Sequence, residues 1–378
     1  MSLELHEDVF GDAQLAALRQ RIGVSMRPHQ QFNEVATRDA IRHYALGYGD
    51  TNPLFNDREY AQGTVWGRLI APPTFLYSCH GYGNGAATVG LPGAHALWTQ
   101  DEWEWERPVV VDDEIRYDDR LLSLDEVSGH FASRMFAQVG ETRFLTAAGE
   151  LIGVRRQTVR RFTRSPQEER ARYKPIERQR YTDQEIEAIY ADYDLEEIRG
   201  STPRYWEDVQ VGDDLPVVVK GPLTVTDIIA FKIGCGFQPF VRAHRVRVEY
   251  ERRHPTTAVK NSDGVPDVPE RVHWEDELAR SIGVPAAFDY GYQRVAWLSQ
   301  VMTNWIGDAG YLRRLTVQIR KPNLVSDTHW CRGRVLQTER AGEHHVVTCE
   351  LWAENQRSVR TATATAVAVL PSRGTPGG

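Results

Sequence analysis

Two kinds of hydrophobic periodicity alternate along the chain, and the same succession occurs twice. Apolar side chains recur at helical spacing in TRDAIRHYAL (residues 37–46) and again in TVTDIIAFKI (residues 224–233). Each helical pattern is followed later by a long segment in which apolar and polar residues alternate, at residues 130–159 and 344–370. Such alternation is typical of antiparallel hairpins. The pattern therefore predicts an α+β protein built from two similar halves.

A longer apolar stretch lies between these patterns in the second half. YGYQRVAWLSQVMTNWIG (290–307) predicts a continuous apolar helix that ends at Gly307. PPTFLYSCHGYG (72–83) is its weaker counterpart in the first half. We therefore expect a long central helix in the second half and a weaker helical counterpart in the first.

Short motifs also repeat between the halves. YALGYGD (44–50) resembles FKIGCGF (231–237), and ERPVVVDDEI (106–115) resembles RKPNLVSDTH (320–329). The aligned pairs are Gly47 with Gly234, Gly49 with Gly236, Pro108 with Pro322 and Asp113 with Asp327. The two motifs are farther apart in the second half, which predicts an insertion there. The segment 242–270, rich in charge, proline and turn residues, is its expected position.

A highly charged segment separates the two halves. The run RRQTVRRFTRSPQEERARYKPIERQR begins at Arg155 and is expected to be a linker that extends to about Arg204. A short helical pattern follows within it, with Thr182 as N-cap and Glu185 three residues later. We expect a solvated helix without a catalytic role. The predicted division is a first domain over 1–160, a charged linker over 161–203 and a second domain over 204–372.

The composition restricts the class of protein. The 378 residues are 41% hydrophobic and 26% charged, which is typical of globular proteins and long enough for two domains. A net charge of −7 argues against a general nucleic-acid binder. The N-terminal sequence is polar, and no apolar run approaches the ~18 residues of a membrane span. We therefore expect a cytoplasmic protein with no membrane partner.

Cysteine usage agrees with that expectation. The four cysteines are widely scattered and form no CxxC pair: Cys79, Cys235, Cys331 and Cys349. This spacing argues against a zinc site. Reduced thiols in a cytoplasmic protein fit it best.

GDTNPL, residues 49–54, is the most informative short motif. It resembles the GDxNPxH signature of the MaoC-like, R-specific enoyl-thioester hydratases and dehydratases, in which this turn follows a short helix. RYWEDVQVGDDLP (204–216) also resembles the start of such a domain, so the resemblance covers nearly the whole chain. It implies a tandem, or double, hotdog fold. Each half would be a long antiparallel sheet wrapped around a central helix, and the two sheets would form one layer.

The resemblance also implies a pair of reacting groups. Water addition to an enoyl thioester needs a base for the water and an acid for the α carbon, and an Asp and a His of the motif serve in the family. The first half keeps Asp50 and Asn52 but has Phe55 at the histidine position. In the second half, HWEDELARSIGVP matches the family's HxxxxxAxxxGxP and puts His273 at the catalytic position. Phe237 stands there in place of the aspartate.

A glycine adds to the evidence for the second half. In the family, the glycine eight residues after the one at the position of Gly283 begins the central helix and donates its N–H to the thioester carbonyl. Here that residue is Gly291, and the equivalent position in the first half is expected to be Phe75. Asp289 and Tyr290 directly precede Gly291 and could supply an acid or a hydrogen bond.

The acid partner of His273 therefore has two candidates. Asp50 is the candidate from the motif, although it lies in the other half, and Asp289 is the local one. We favour Asp50, because an intact GDxNP turn retained without use would be surprising.

A basic run in the second half is a candidate for substrate binding. It consists of Arg313, Arg314, Arg320 and Lys321, just before or on a predicted strand. Its charges could bind the phosphates of coenzyme A or of a carrier protein's phosphopantetheine arm. A solvated strand face is the alternative.

Together these features predict a hydratase or dehydratase that interconverts 3-hydroxyacyl and 2-enoyl thioesters of coenzyme A or a carrier protein. This chemistry requires no metal and no redox cofactor. Two alternatives are a hotdog thioesterase and a non-catalytic partner that completes an acyl tunnel for another subunit. We also expect a homodimer, because closed symmetric association is common.

Overall fold

The computed structural model describes residues 10–26, 30–80, 85–92, 94–128, 134–163, 176–237, 241–255 and 258–374. Its α-helices are α1 (Asp12–Arg19), α2 (Arg38–Gly47), α3 (Pro53–Asn56), α4 (Arg58–Gln62), α5 (Asp183–Tyr193), α6 (Val225–Cys235), α7 (His244–Arg253), α8 (Asp276–Ser281) and α9 (Gly291–Ile306). Its strands are β1 (His95–Trp105), β2 (Ile115–Glu126), β3 (Met135–Thr146), β4 (Leu151–Phe162), β5 (Asp214–Lys220), β6 (Val259–Lys260), β7 (Pro266–Asp267), β8 (Tyr311–Ile319), β9 (His329–Ala341), β10 (His344–Asn355) and β11 (Arg360–Leu370).

One antiparallel sheet runs through both halves, as expected. Its strand order is β2-β3-β4-β1-β8-β11-β10-β9-β5. The halves meet where β1 pairs with β8, with Trp103 opposite Leu315. Alternate residues of the strands are buried, as in β11, because only one face of the sheet packs on the core. The two-half, α+β organisation is therefore confirmed.

The central helices of the two halves differ in length. In the second half, α9 is buried at every position from Tyr292 to Ile306 and packs against β5, β8, β9, β10 and β11. Its counterpart in the first half is a 3₁₀ helix, Pro73–Cys79, of seven residues. The weaker counterpart expected there is thus a single short 3₁₀ helix. Two prolines at its start and glycines soon after its end give this sequence a low helix propensity.

The repeated glycines lie where α2 and α6 cross. A Cβ on Gly47 would lie 2.9 Å from the Ala230 oxygen, and a Cβ on Gly234 would lie 2.3 Å from the His43 oxygen. The contacts are reciprocal, since each aligned glycine meets the equivalent turn of the other helix. This arrangement confirms the internal repeat and relates the halves by a local two-fold axis. Glycine is required because any side chain would separate the helices.

We expect Gly234→Ala to destabilise the protein by about 1–3 kcal/mol, since the helices must move apart to admit the methyl group. Urea denaturation measures the change. Gly63→Ala is the matched control, because Gly63 is exposed, has a φ of −82° and would place its Cβ 3.4 Å from the Tyr60 oxygen. Equal unfolding midpoints for the two variants would contradict the role assigned to the crossing.

The second repeated motif, at 106–115 and 320–329, forms a turn with the same hydrogen bond in both halves. The Asp113 carboxylate accepts from the Val110 N–H at 2.9 Å, and the Asp327 carboxylate accepts from the Leu324 N–H at 3.2 Å. The alignment of these two aspartates is therefore confirmed. Each closes the loop that leads into a strand of its half.

The charged run begins inside the sheet and not in a linker. β4 continues to Phe162, and its Arg155 side chain is wholly buried, with Nε 2.9 Å from an oxygen of Asp101. The expectation that a linker begins at Arg155 is therefore wrong. Composition alone was misleading, because a buried arginine paired with a carboxylate looks the same in sequence as a solvated one. Residues 164–175 of the run lie outside the described residues.

The predicted helix after this run is α5. Thr182 and Glu185 form the expected reciprocal capping box, with the Thr182 N–H donating to Glu185 at 2.7 Å. The helix is anchored to the second half, where the Trp330 indole donates to Asp192 at 2.8 Å.

The insertion carries its own elements and ends at the candidate histidine. Between α6 and the 3₁₀ helix Pro269–His273 lie α7 and the short β6–β7 hairpin. These elements have no counterpart between α2 and α3 among the residues described. Among all the residues that the structure describes, no helix is both long and apolar enough to cross a bilayer.

Candidate active site

His273 ends the 3₁₀ helix Pro269–His273 and is half-buried. Its Nδ1 lies 2.8 Å from the Phe288 carbonyl oxygen, and its ring packs on the Tyr290 ring at 3.8 Å between centroids. A carbonyl oxygen can only accept, so Nδ1 carries the hydrogen in the neutral imidazole. Nε2 therefore keeps a lone pair.

The environment favours the neutral imidazole. Burial lowers the pKa of His273 to about 3, and the nearby Lys232 ammonium acts in the same direction. The imidazole is then uncharged near neutral pH. Its Nε2 can accept a hydrogen bond from water.

The N-terminus of α9 lies next to this histidine. Tyr290 is the N-cap residue and Gly291 the first helical residue, and no side chain caps this end. Helix N-terminal N–H groups have no partner within the helix and face acceptors with a partial positive charge. Trp98 of β1 covers the glycine, since a Cβ on Gly291 would lie 3.4 Å from its ring. The site therefore lies where the two halves meet.

Asp289 is held by a buried cation. Its carboxylate lies 2.8 Å from Nε of Arg294 and accepts from Nδ2 of Asn323 at 3.2 Å. Burial raises the pKa of Asp289 to about 6. Arg294 in turn donates to the Lys321 carbonyl at 2.6 Å, so the ion pair ties the first turn of α9 to the end of β8.

Asp50 is wholly buried within its own turn. The Tyr48 hydroxyl donates to one carboxylate oxygen at 2.8 Å and the Asn52 N–H to the other at 2.9 Å. The Asn52 side chain caps α3 by accepting from the Leu54 N–H at 3.0 Å. Burial raises the pKa of Asp50. The GDTNP turn therefore has a structural explanation of its own.

The structure does not bring Asp50 and His273 together. The Gly49 carbonyl, next to Asp50, lies 3.4 Å from Nε2 of Gln300 on α9, whereas His273 packs on Tyr290 at the start of that helix. Residues 290 and 300 are ten apart on α9, which is a rise of about 15 Å along the helix axis. Among the described residues no contact joins Asp50 to His273, and this arrangement does not support a direct proton transfer between them.

The first half also lacks the helical N–H that the family resemblance assigns to the thioester carbonyl. Ile70 and Phe288 form equivalent isolated bridges in the two halves. Three residues after them come Pro73 and Gly291, each the first residue of the helix that follows. The counterpart of Gly291 is therefore Pro73, and the expectation of Phe75 is wrong. Proline has no N–H, so this helix start cannot donate at that position.

Phe55 takes the place of the histidine in the first half. Only 1% of its surface is exposed, and it lines an apolar cleft at the other end of α9. Other residues of the cleft are Asn52, Leu54, Ile70, Pro73, Trp105 and Ile306. This half therefore has neither the imidazole nor the first helical N–H.

We expect Phe55→His to leave the activity per folded molecule unchanged. The substitution should lower stability by about 1–3 kcal/mol, because it buries a polar ring in an apolar cleft. Thermal unfolding and an activity assay on the same sample measure both effects. Phe55→Leu is the control that removes the ring without adding polarity. Loss of activity in both variants with the fold intact would instead assign Phe55 to an essential pocket.

The four basic residues of the predicted run have different environments. Arg313 and Arg314 pair with Glu104 or Glu106 across the β1–β8 junction. Arg320 and Lys321 are exposed, and among the described residues neither side chain has a carboxylate partner. Their position at the end of β8 is close to the first turn of α9.

Three residues of the site were not identified from the sequence: Lys232, Glu270 and Tyr292. Lys232 is buried, donates to the Tyr292 hydroxyl at 2.7 Å and lies 3.4 Å from an oxygen of Glu270. One signal was available, because Lys232 interrupts the apolar run of FKIGCGF on a helix. A buried lysine there requires a partner, and a partner from the distant segment 269–273 is not visible in the sequence.

The cysteines do not provide a nucleophile. All four are buried and free, and burial raises the pKa of Cys235, the one nearest this cluster, to about 12. Its thiol therefore stays protonated. Within the ranges described, no three His, Cys, Asp or Glu side chains are grouped so that they could hold a metal ion.

Comparisons with known proteins agree with this architecture. A family model described as "FAS1-like, dehydratase domain region" matches residues 20–155. A UPF0336 protein of Parafrankia sp. is 34% identical over 119 residues, 30% of this chain and 76% of that protein. A "probable enoyl-CoA hydratase alpha subunit" of Thermomonospora curvata is 28% identical over 161 residues, 36% of this chain and 47% of that protein.

Solved structures resemble the chain over nearly its whole length. One described as "MaoC-like dehydratase" has a TM-score of 0.66 at 20% identity, covering 94% of this chain and 100% of that one. A Mycobacterium tuberculosis protein described as having a double hotdog fold has a TM-score of 0.52 at 9% identity, covering 91% and 96%. With the two-fold repeat and the single sheet, these similarities establish a double hotdog fold. The chain belongs to the MaoC-like dehydratase family.

Proposed function

We propose that this protein is a hydratase or dehydratase that interconverts 2-enoyl and 3-hydroxyacyl thioesters. One observation carries the proposal: the His273 imidazole, with its tautomer held by the Phe288 carbonyl, lies beside the uncapped start of α9 at Gly291. Such a pairing offers a group for water and a donor for the thioester oxygen in one site. The name of the Thermomonospora curvata relative supports the same chemistry.

In the hydration direction, the water oxygen forms a bond to Cβ and the C=C π bond breaks. Its electrons pass toward the thioester carbonyl, whose oxygen gains negative charge and accepts a hydrogen bond from the Gly291 N–H. His273 Nε2 accepts a hydrogen bond from the water and activates it. A proton then adds to Cα to give the 3-hydroxyacyl thioester. Dehydration is the reverse of these steps.

The thioester carrier is proposed to be coenzyme A or a phosphopantetheine arm. Arg320 and Lys321 are exposed cations near the first turn of α9, where a phosphate could bind outside the site. No nucleic acid or membrane partner is proposed, and a cytoplasmic homodimer remains our expectation for the assembly.

The first half is proposed to serve as a structural wall of the site. Phe55 and Pro73 deprive it of acid–base and N–H chemistry, while its Trp98 packs over Gly291. The first half would then do within one chain what a non-catalytic partner subunit does when it completes an acyl tunnel for another subunit.

Incubation with crotonyl-CoA tests this function against the alternatives. A hydratase consumes the enoyl absorbance without releasing thiol. Release of free coenzyme A at the same rate would instead support a thioesterase. No change in either signal, with crotonyl attached to coenzyme A or to a carrier protein, would leave only the non-catalytic hypothesis.

A further inference from the structure

We propose that Glu270 is the second reacting group of this site, the carboxylate that carries a proton between the water and Cα while His273 holds the water. This proposal rests on the proposed function and supplies the residue that the sequence left open. Neither aspartate considered from the sequence fits the role, since Asp50 is closed within its own turn and Asp289 faces Arg294.

The backbone places Glu270 and His273 on one face. Both belong to the 3₁₀ helix Pro269–His273, three residues apart. In a 3₁₀ helix, side chains at i and i+3 eclipse each other. The carboxylate and the imidazole therefore project from the same side of the helix.

A shared neighbour brings the two side chains to the same place. The Tyr290 ring packs on His273 at 3.8 Å between centroids, and the Lys232 ammonium lies 4.8 Å from the Tyr290 centroid. The same ammonium is 3.4 Å from an oxygen of Glu270. Burial, and after it the negative charge of Glu270, raises the pKa of Tyr290 well above its usual value, so the phenol stays protonated.

The carboxylate also lies near the position of the missing aspartate. Phe237 occupies that position, and its ring centroid is 5.2 Å from the Lys232 ammonium that contacts Glu270. Glu270, at the end of the insertion, thus places a carboxylate near Phe237, where the family has an aspartate.

Glu270 has acceptor capacity to spare. It is 6% exposed, and one of its carboxylate oxygens lies 3.4 Å from the Lys232 ammonium beside Tyr290, while among the described residues neither oxygen receives a short, well-aligned hydrogen bond. A buried carboxylate in this condition is expected to accept hydrogen bonds from water or from a ligand.

The step is balanced with an ionised Glu270 and a neutral His273. Water donates one hydrogen bond to His273 Nε2 and the other to Glu270. As the water oxygen bonds to Cβ, Glu270 takes its proton and then releases that proton to Cα, which returns the carboxylate to its starting state. The hydrogen held by His273 remains in the product hydroxyl group.

Glu270→Gln tests the assignment, because it keeps the size of the side chain and removes its basicity. We expect kcat for crotonyl-CoA hydration to fall at least about 100-fold, with KM changed only a few-fold. Glu277→Gln is the matched control, since Glu277 is exposed on α8 of the same segment. If the Glu270→Gln variant folds and turns over at the wild-type rate, the proposal is overturned.

Formate rescue separates a reacting carboxylate from a structural one. In Glu270→Ala, added formate should restore part of kcat in a saturable manner, because a free carboxylate can enter the space and take the proton. Rescue by formate but not by chloride at equal ionic strength supports the proposal. Without such rescue in a folded variant, the role of Glu270 would be structural.

Two safeguards keep the test decisive. Removing Glu270 alone leaves Lys232 unpaired and could prevent folding. In that case the double variant Lys232→Met, Glu270→Gln removes both charges. Near-normal turnover in the double variant would overturn the proposal. If the wild type hydrates no enoyl thioester, the proposed function and this inference fail together. If the wild type and Glu270→Gln are both active while His273→Ala is not, only this inference fails.

Discussion

His273→Ala is expected to slow enoyl-thioester hydration by about 10²–10⁴-fold, because the reacting water loses the acceptor that positions and activates it for acid–base catalysis. The imidazole offers the only Nε2 lone pair next to the start of α9 among the residues described, and alanine offers no acceptor. Initial rates with crotonyl-CoA, taken with the variant at saturating substrate, measure the loss in kcat.

Stability should change little in the same variant. The half-buried ring leaves one carbonyl, that of Phe288, without its donor, which costs about 1 kcal/mol. His344→Ala, at an exposed site on the β9–β10 hairpin, is the control and should behave like the wild type in both measurements. Near-full activity of His273→Ala would mean that the site lies elsewhere in the molecule.

Replacing Gly291 by proline should lower kcat by about 10²–10³-fold, because it removes one N–H aimed at the developing oxyanion. Proline suits this position in other respects. Gly291 is the first residue of α9, and Tyr290 before it is extended, with φ −81° and ψ 138°. The substitution reproduces the natural state of the first half, where Pro73 begins the equivalent helix.

Gly291→Ala is the matched comparison for that variant. Its methyl group would lie 3.4 Å from the Trp98 ring, an ordinary contact, and the N–H is kept. Alanine should therefore retain activity within a few-fold of the wild type. Equal losses in the alanine and proline variants would point to crowding against Trp98 as the cause and would remove the oxyanion role from the N–H.

The sequence alone determined the features that depend on local spacing and residue size. The twofold succession of helical and alternating patterns predicted both halves and the sheet, because a residue's burial follows directly from its period in a helix or strand. The capping box at Thr182 and the paired glycines at 47 and 234 were equally readable. Each depends on a small side chain or a short-range hydrogen bond.

Tertiary structure decided which charged and polar groups meet. Arg155 looked like part of a linker and is paired inside the sheet, and the counterpart of Gly291 proved to be Pro73 once the bridges of Ile70 and Phe288 aligned the halves. Asp50 kept its motif but ends in a closed turn far along α9 from His273.

Tertiary structure also decides the pairing of His273 with Glu270 that is proposed here. Glu270 approaches Lys232 only because an insertion folds back over α6, and nothing in the spacing of those two residues along the chain announces the contact. A buried charge must find a partner wherever the fold supplies one, and its stabilisation depends on distances of a few ångströms in space. Those distances are set by how the helices pack on the sheet, which no local pattern of residues encodes.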